Sequence, residues 1–346
     1  MYQQYRAEPG TRVKKALRAN LLLGIVALVA LSPGCSSPVG ELNNDDAGTL
    51  GLHPSDSTRV RVVATLDFGT YPVFDVIVDV RDGGTAMDAL QAVADVETAY
   101  GGGFVVRING AGAPPGTSGT QVASWFYHVN GFMARTGALD YRVHEGDTVH
   151  WDYRSWGGNR GISATLGSFP LALLHGYGGV TRPTVVTHER AFEDEAVAIA
   201  SLLEVRGIGS VLCVPLANLT TEQKESTNLI IVAKGSADPV REIYDNRTNL
   251  GLFTDLQDVV LRTYSASGIE TGVYDSGTGV VESMQNPWNP SGTGVAQNAV
   301  VLVSGTDDEG VRAAVTAVIE SGDSMVTWCG AVVRDGTVMP IPTDMS

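Results

Sequence analysis

The sequence predicts an α+β domain followed by an α/β domain with a largely parallel sheet. Two observations predict it. Over about residues 58–156, long runs alternate apolar with polar residues around one short helical stretch; over about 168–340, short continuous apolar runs alternate with helical periodicity.

Ahead of both lies an export signal. Arg6, Arg12, Lys14, Lys15 and Arg18 precede an apolar run from Leu21 to Leu31, which leads into Ser32-Pro33-Gly34-Cys35. Charge, a short apolar core and small residues, in that order, make a secretion signal. The run falls short of the roughly 20 residues a membrane-spanning helix needs, so cleavage is expected. Residues 1–35 resemble a bacterial lipoprotein signal, in which a cysteine after a small residue receives lipid and becomes the new N-terminus. Ser32 stands where such signals usually carry leucine, and Leu31 lies one step earlier. The resemblance implies a lipid anchor at Cys35 and a place at the outer face of the cytoplasmic membrane or on the cell surface. Residues 36–57, with Ser, Pro, Gly, Asn and Asp and little periodicity, read as a flexible tether.

Removing residues 1–34 takes away five basic residues and one acidic, so the formal charge of -15 becomes -19. Such an acidic surface repels nucleic acid and anionic headgroups, which excludes nucleic-acid partners. Beyond Cys35 only Cys213 and Cys329 remain, without CxxC or Cys/His metal spacing. A pair formed outside the cell and two buried thiols both fit.

In the first domain, Thr58–Leu66 and Val73–Val80 alternate and are separated by Gly69-Thr70-Tyr71-Pro72, which predicts a hairpin. Thr85 is placed to cap a helix over Ala86–Val93. Phe104–Ile108 is the next strand, Ser124–Met133 a hairpin folded at Asn130-Gly131, and Thr148–Tyr153 the closing strand. The order ββ-α-ββ predicts a small β-grasp-like sheet wrapped on one helix.

Four motifs here carry a resemblance: Thr85–Leu90, Trp125–Gly131, Gly137–Tyr141 and Glu145–Tyr153. In that order they resemble the DUF4430 family, which is similar to the C-terminal domain of transcobalamin and intrinsic factor, vertebrate carriers of vitamin B12. The resemblance implies a non-catalytic module, a corrinoid as the small-molecule ligand, and a membrane importer as partner.

From the residues themselves, the pleat puts Trp125, Tyr127 and Val129 on one side of their strand and Phe126 and His128 on the other; Val149, Trp151 and Tyr153 likewise oppose His150, Asp152 and Arg154. One face covers the helix. The other is expected to face solvent and serve as the binding surface, with His128 and His150 on adjacent strands as candidates for a metal or a corrinoid cobalt. For Trp125, Tyr127, Trp151 and Tyr153, core packing is the preferred account. Trp156, just beyond the last strand, is the aromatic that packing explains least, and the leading candidate for ligand contact.

In the second domain, Thr184–Val186 and Val211–Val214 flank a helix over Asp194–Val205, a βαβ unit. Leu229–Ala233 and Ala299–Val303 are buried strands, the latter opening through Ser304–Gly310 into a helix over Val311–Ile319. Asp307, Asp308 and Glu309 would repel a phosphate there; they suit helix capping. Trp288, in a polar loop, either seals a pocket or pins the loop.

No Gly-x-Ser-x-Gly elbow, Walker A loop or His-Glu-x-x-His helix occurs. His175-Gly176-Tyr177-Gly178-Gly179 reads as an interdomain turn, and His188 with Glu189, Glu193, Asp194 and Glu195 as a charged helix start rather than a metal cluster. The reading is an exported, lipid-anchored, non-catalytic binding protein that captures a small molecule, a corrinoid where the resemblance extends that far, with no catalytic residue and no resident metal. A surface interaction or envelope-scaffold protein is the alternative, and a metal-dependent hydrolase the third.

Overall fold

The alternation of β1 (Ser57–Leu66) and β2 (Tyr71–Arg81) folds them into the expected hairpin, although its turn begins two residues earlier, at Asp67. The computed structural model describes residues 56–113, 122–156, 161–209, 211–322, 325 and 327–342. The export signal, Cys35, nearly all of the tether and Gly157-Gly158 lie outside the described residues.

Helix α1 (Ala86–Gln91) starts where Thr85 predicts: the Asp88 amide donates to Thr85 Oγ1, and the Thr85 amide donates to the Asp88 carboxylate, closing a capping box. A short hairpin of β3 (Val96–Ala99) and β4 (Phe104–Ile108) follows. β5 (Ala123–Val129) turns into β6 (Phe132–Met133) through Asn130 and Gly131, whose φ values of 51° and 91° are what a type I′ turn requires. β7 (Thr148–Ser155) then inserts between β5 and β1, antiparallel to the former and parallel to the latter, giving the order β2-β1-β7-β5-β6. Helix α1 packs its Ala86, Met87, Ala89 and Leu90 against Val60, Val62, Val149 and Trp151 of this sheet.

The second half begins with α2 (Leu171–Leu174) and is built on seven strands. β8 (Thr184–His188), α3 (Glu193–Val205) and β9 (Val211–Pro215) form the expected βαβ unit; α4 (Thr221–Ser226) leads to β10 (Asn228–Lys234). Helices α5 (Asp238–Asp245) and α6 (Arg247–Leu250) precede a three-stranded meander, β11 (Thr254–Gln257), β12 (Val260–Tyr264) and β13 (Glu270–Tyr274). β14 (Gly279–Gln285), β15 (Ala299–Gly305), α7 (Asp308–Ser321), β16 (Gly330–Arg334) and β17 (Thr337–Ile341) complete the chain.

The large sheet has the order β17-β16-β14-β15-β10-β8-β9. β15, β10, β8 and β9 pair in parallel; β14, β16 and β17 join by antiparallel pairing. The expectation of a largely parallel sheet is thus corrected to a mixed one. Its antiparallel side ends in a hairpin turned at Asp335-Gly336, both with positive φ, a turn signal as strong as Asn130-Gly131. Asp307 caps α7, accepting from the Gly310 amide at 2.8 Å and the Gly277 amide at 2.9 Å.

The two halves pack as one unit. The tip of the β1–β2 hairpin plugs into the second half: the Phe68 ring meets Phe253 edge to face at 5.4 Å, and Thr327 Oγ1 donates to the Gly69 carbonyl. Gly69 is required there, since at φ 82° a Cβ would sit 1.8 Å from the Thr327 carbonyl oxygen. Residues 161–166 run across the junction, with Ala164 bridging to Phe132 and the Leu166 amide donating to the Cys329 carbonyl.

Candidate functional site

β5 and β7 pair in the register Trp125–Tyr153, Tyr127–Trp151 and His128–His150. The aromatic face lies on α1, as core packing predicts: Trp125 and Trp151 are buried, and Tyr127 stacks on Trp151 at 4.8 Å between ring centroids. The opposite face overturns the expectation of a solvent-exposed binding surface. His128, His150, Asp152, Arg154 and Thr65 are all buried, because the strap through Ile162 and the segment at Cys329, just ahead of β16, cover them.

This buried face is a polar network. Thr65 Oγ1 lies 2.7 Å from Asp152 Oδ1 and 2.8 Å from His150 Nε2. A hydroxyl has one proton; given to the carboxylate, it leaves the Thr65 oxygen to accept from His150 Nε2–H, which fixes a neutral imidazole with its proton on Nε2. The Gly69 amide also donates to Asp152, at 3.1 Å. Arg154 Nη1 stands 3.5 Å from Asp152 Oδ2, and its guanidinium lies over the rings of Phe126 at 4.6 Å and Phe68 at 6.0 Å. Burial holds His150 down at about 4; burial first, and then Arg154, hold His128 well below the ordinary histidine range. With their rings 6.4 Å apart and sealed from solvent, the two histidines serve the junction between the halves. Among the described residues no three His, Cys, Asp or Glu side chains gather as metal ligands.

The thiols are both free. Burial pushes Cys329 up to about 12, and half-buried Cys213 on β9 is raised by the same cause. Neither has thiolate character.

Trp156 does face solvent, 45% exposed, with its indole N–H donating to Ser124 Oγ at 3.1 Å. Trp288 pins its loop: its N–H donates to Glu242 Oε2 at 2.6 Å, and Lys224 Nζ sits 4.4 Å over its ring while pairing with the same carboxylate. The hydrogen-bond partners of Trp156 and Trp288, Ser124 and Glu242, lie in different halves, and the structure does not join them in one site.

A crevice does open where the parallel strands end. α3 packs on one face of the large sheet with Val186 and Val232, while α5 packs on the other with Val185 and Ile231. The chain therefore leaves β8 and the adjacent β10 toward opposite faces, the arrangement that opens a crevice at strand carboxyl ends. The cavity there, about 470 Å³, is lined by His188, Glu189, Arg190, Glu193, Leu216 and Asn218. His188 is buried, and its Nδ1 donates to the Glu189 carbonyl at 2.9 Å, which leaves Nε2 with the free lone pair. Glu189 bridges the strands, its amide donating to the Val232 carbonyl and its carboxylate accepting from the Lys234 amide at 2.8 Å. Lys234 Nζ pairs with Asp308 at 3.0 Å. Glu195 turns away to Arg312, and Glu193 and Asp194 occupy the first turn of α3, as a charged helix start requires. The sequence singled out His188 but not its place at a strand end.

Residues 83–155 match the DUF4430 family, a domain of unknown function. Among solved structures the chain is similar to haptocorrin in complex with Cbi, at 14% identity and a TM-score of 0.25, covering 31% of this chain and 27% of that one. It is also similar to a candidate metal-binding protein from Ruminococcus gnavus, at 16% identity and a TM-score of 0.23, covering 29% of this chain and 98% of that one. The chain thus spans about a quarter of the haptocorrin chain. No curated protein matches it.

The DUF4430 segment contains Trp125, Tyr127, His128 and His150 and ends one residue before Trp156. The crevice and Trp288 lie outside it. So does Glu282, which sequence reading missed: fully buried on β14, it accepts from Thr254 Oγ1 at 2.6 Å and Tyr244 Oη at 3.0 Å, and burial pushes it up to about 7. The available signal was a lone acid inside the apolar strand Gly279–Gln285.

Proposed function

We propose that this chain is an exported, lipid-anchored, non-catalytic binding protein in which a β-grasp module, the DUF4430 segment with its β1–β2 hairpin, braces an α/β half that captures a small molecule for a membrane importer. One observation carries the reading: the crevice at the ends of β8, β9 and β10, with an imidazole whose tautomer is set by a backbone carbonyl. Its volume falls within the roughly 300–1,000 Å³ usual for small-molecule sites. The DUF4430 resemblance makes a corrinoid the first ligand to test, with His188 Nε2 as the group able to meet a metal centre.

Titration of the soluble form starting at Ser36 with cobalamin and cobinamide, followed by corrinoid absorbance and tryptophan fluorescence, is expected to saturate at micromolar ligand. His188→Ala should weaken binding about tenfold, the equivalent of one good contact. An unchanged corrinoid spectrum removes the corrinoid, and binding indifferent to His188→Ala removes the crevice. The anchor rests on the run of residues ending at Cys35. Cys35→Ala in the full chain is expected to move the protein from the membrane to the soluble fraction, and continued membrane retention would refute lipidation there. Among the described residues no helix is long and apolar enough to cross a membrane.

The interaction-protein reading is favoured by a separate observation, the open edge of β2.

A further inference from the structure

We infer that β2 is a dimerisation edge, which pairs antiparallel with β2 of a second copy about a twofold axis at Val78. This strand of eleven residues is the outermost of its sheet, and among the described residues no strand pairs with its outer side. Edges of this length are ordinarily blunted by proline, lysine or a bulge. Here Pro72 and the register shift against β1 fall at the start of the strand, no lysine occurs in it, and its charged residues, Asp75, Asp79 and Arg81, are of both signs and so can pair across an edge. Large apolar side chains are exposed along it instead: Tyr71 at 59%, Val76 at 40% and Ile77 at 57%.

The backbone directions set the register. Arg61 donates its amide to Asp147, toward β7, so the even-numbered residues of β1 face β2; Val60 lies opposite Val78, and the Asp82 amide donates to the Asp56 carbonyl. Even-numbered residues of β2 therefore spend their backbone groups on β1. Asp75, Ile77, Asp79 and Arg81 turn theirs outward.

Antiparallel pairing of these outward groups with a second copy permits only certain registers. Centring on Ile77 sets Asp75 against Asp79 of the other copy, a like-charge pair that is disfavoured. Centring on Val78 sets Asp75 against Arg81 of the second copy, twice by symmetry, and Ile77 beside Asp79. On the other side of the sheet the same register makes an unbroken valine row: Val76 against Val80 of the second copy, Val78 against its own counterpart, and Val80 against Val76. Exposed Val76 is thereby covered, and Asp75, already paired with Arg61 at 2.5 Å, gains a second guanidinium. Charge and apolar patterning select one register, and that register is self-complementary.

Light scattering and sedimentation on the soluble form starting at Ser36 should show a dimer in the micromolar range. Ile77→Pro removes one outward amide without breaking a bond to β1, and Arg81→Glu sets like charges against Asp75. Each should raise the dimer dissociation constant about tenfold or more, with the unfolding midpoint measured alongside to confirm the monomer fold. A protein that stays monomeric at high concentration overturns the inference, and so does a dimer that folded Arg81→Glu leaves unchanged.

Discussion

Arg154→Ala is expected to destabilise the protein by about 3–5 kcal/mol, the cost of leaving a buried carboxylate without its cation. Arg154 and Asp152 are both almost wholly buried at the junction of the halves, and the guanidinium fills the space between the rings of Phe126 and Phe68. Removing it strands Asp152 with only the Thr65 hydroxyl and the Gly69 amide for compensation. The double change Asp152→Asn, Arg154→Met removes both charges and keeps most of the volume, so it should recover most of the loss. Urea unfolding of the parent, Arg154→Ala and the double variant checks it. A single Arg154→Ala variant within about 1 kcal/mol of the parent, the size of an ordinary surface pair, would show that the contact is not electrostatically coupled.

Stability should fall as pH is lowered from about 6.5 toward 4.5, and Glu282→Gln should steepen that fall. His150 is held down at about 4, and His128 well below its usual range, so in this window both are neutral when folded and protonated when unfolded. Their contribution is full above 6.5 and is lost as pH falls toward the folded values. Glu282 acts in the opposite sense. Its folded value is raised to about 7 from 4.5, so it stays protonated in the fold while the unfolded chain ionises, and its penalty is relieved as pH drops. Two protons taken up on unfolding against one released leave a net slope of about 1.4 kcal/mol per pH unit, and Glu282→Gln should raise it to about 2.7. Thermal or urea unfolding across this range measures both slopes. Equal slopes in the two proteins would mean that Glu282 is ionised in the fold. Asp75, Asp88 and Asp307, held low by Arg61, Thr85 and the Gly310 amide respectively, add further loss below the window.

Local chemistry was legible wherever it acts within a few residues. Thr85 and Asp88 close a capping box, Asn130-Gly131 supplies two left-handed residues for a hairpin, and Asp307 sits one residue ahead of a helix whose amides it satisfies. The DUF4430 motifs were legible for the same reason, since strand alternation and turn residues repeat in a fixed order. The antiparallel side of the large sheet was less so, although Asp335-Gly336 announced its last hairpin.

By itself, then, the sequence determined β1, β2, β4 to β10 and β15, with their caps, turns and shared faces, because period and capping are properties of neighbouring residues; β3, the β11–β13 meander and β14, β16 and β17 came only from the structure. Which face met water was decided only by the tertiary structure. His128, His150, Asp152 and Arg154 alternate with aromatics as a solvated face would, yet Ile162, Phe253 and Cys329, distant in sequence, close over them. The contacts within that buried face, Thr65 with His150 and Asp152 and the Arg154 guanidinium beside the Asp152 carboxylate, exist only once strands far apart in the chain are brought together. The same holds for the crevice beside His188 and for the open edge of β2: both depend on the order of strands in a sheet, which periodicity within a single strand does not encode.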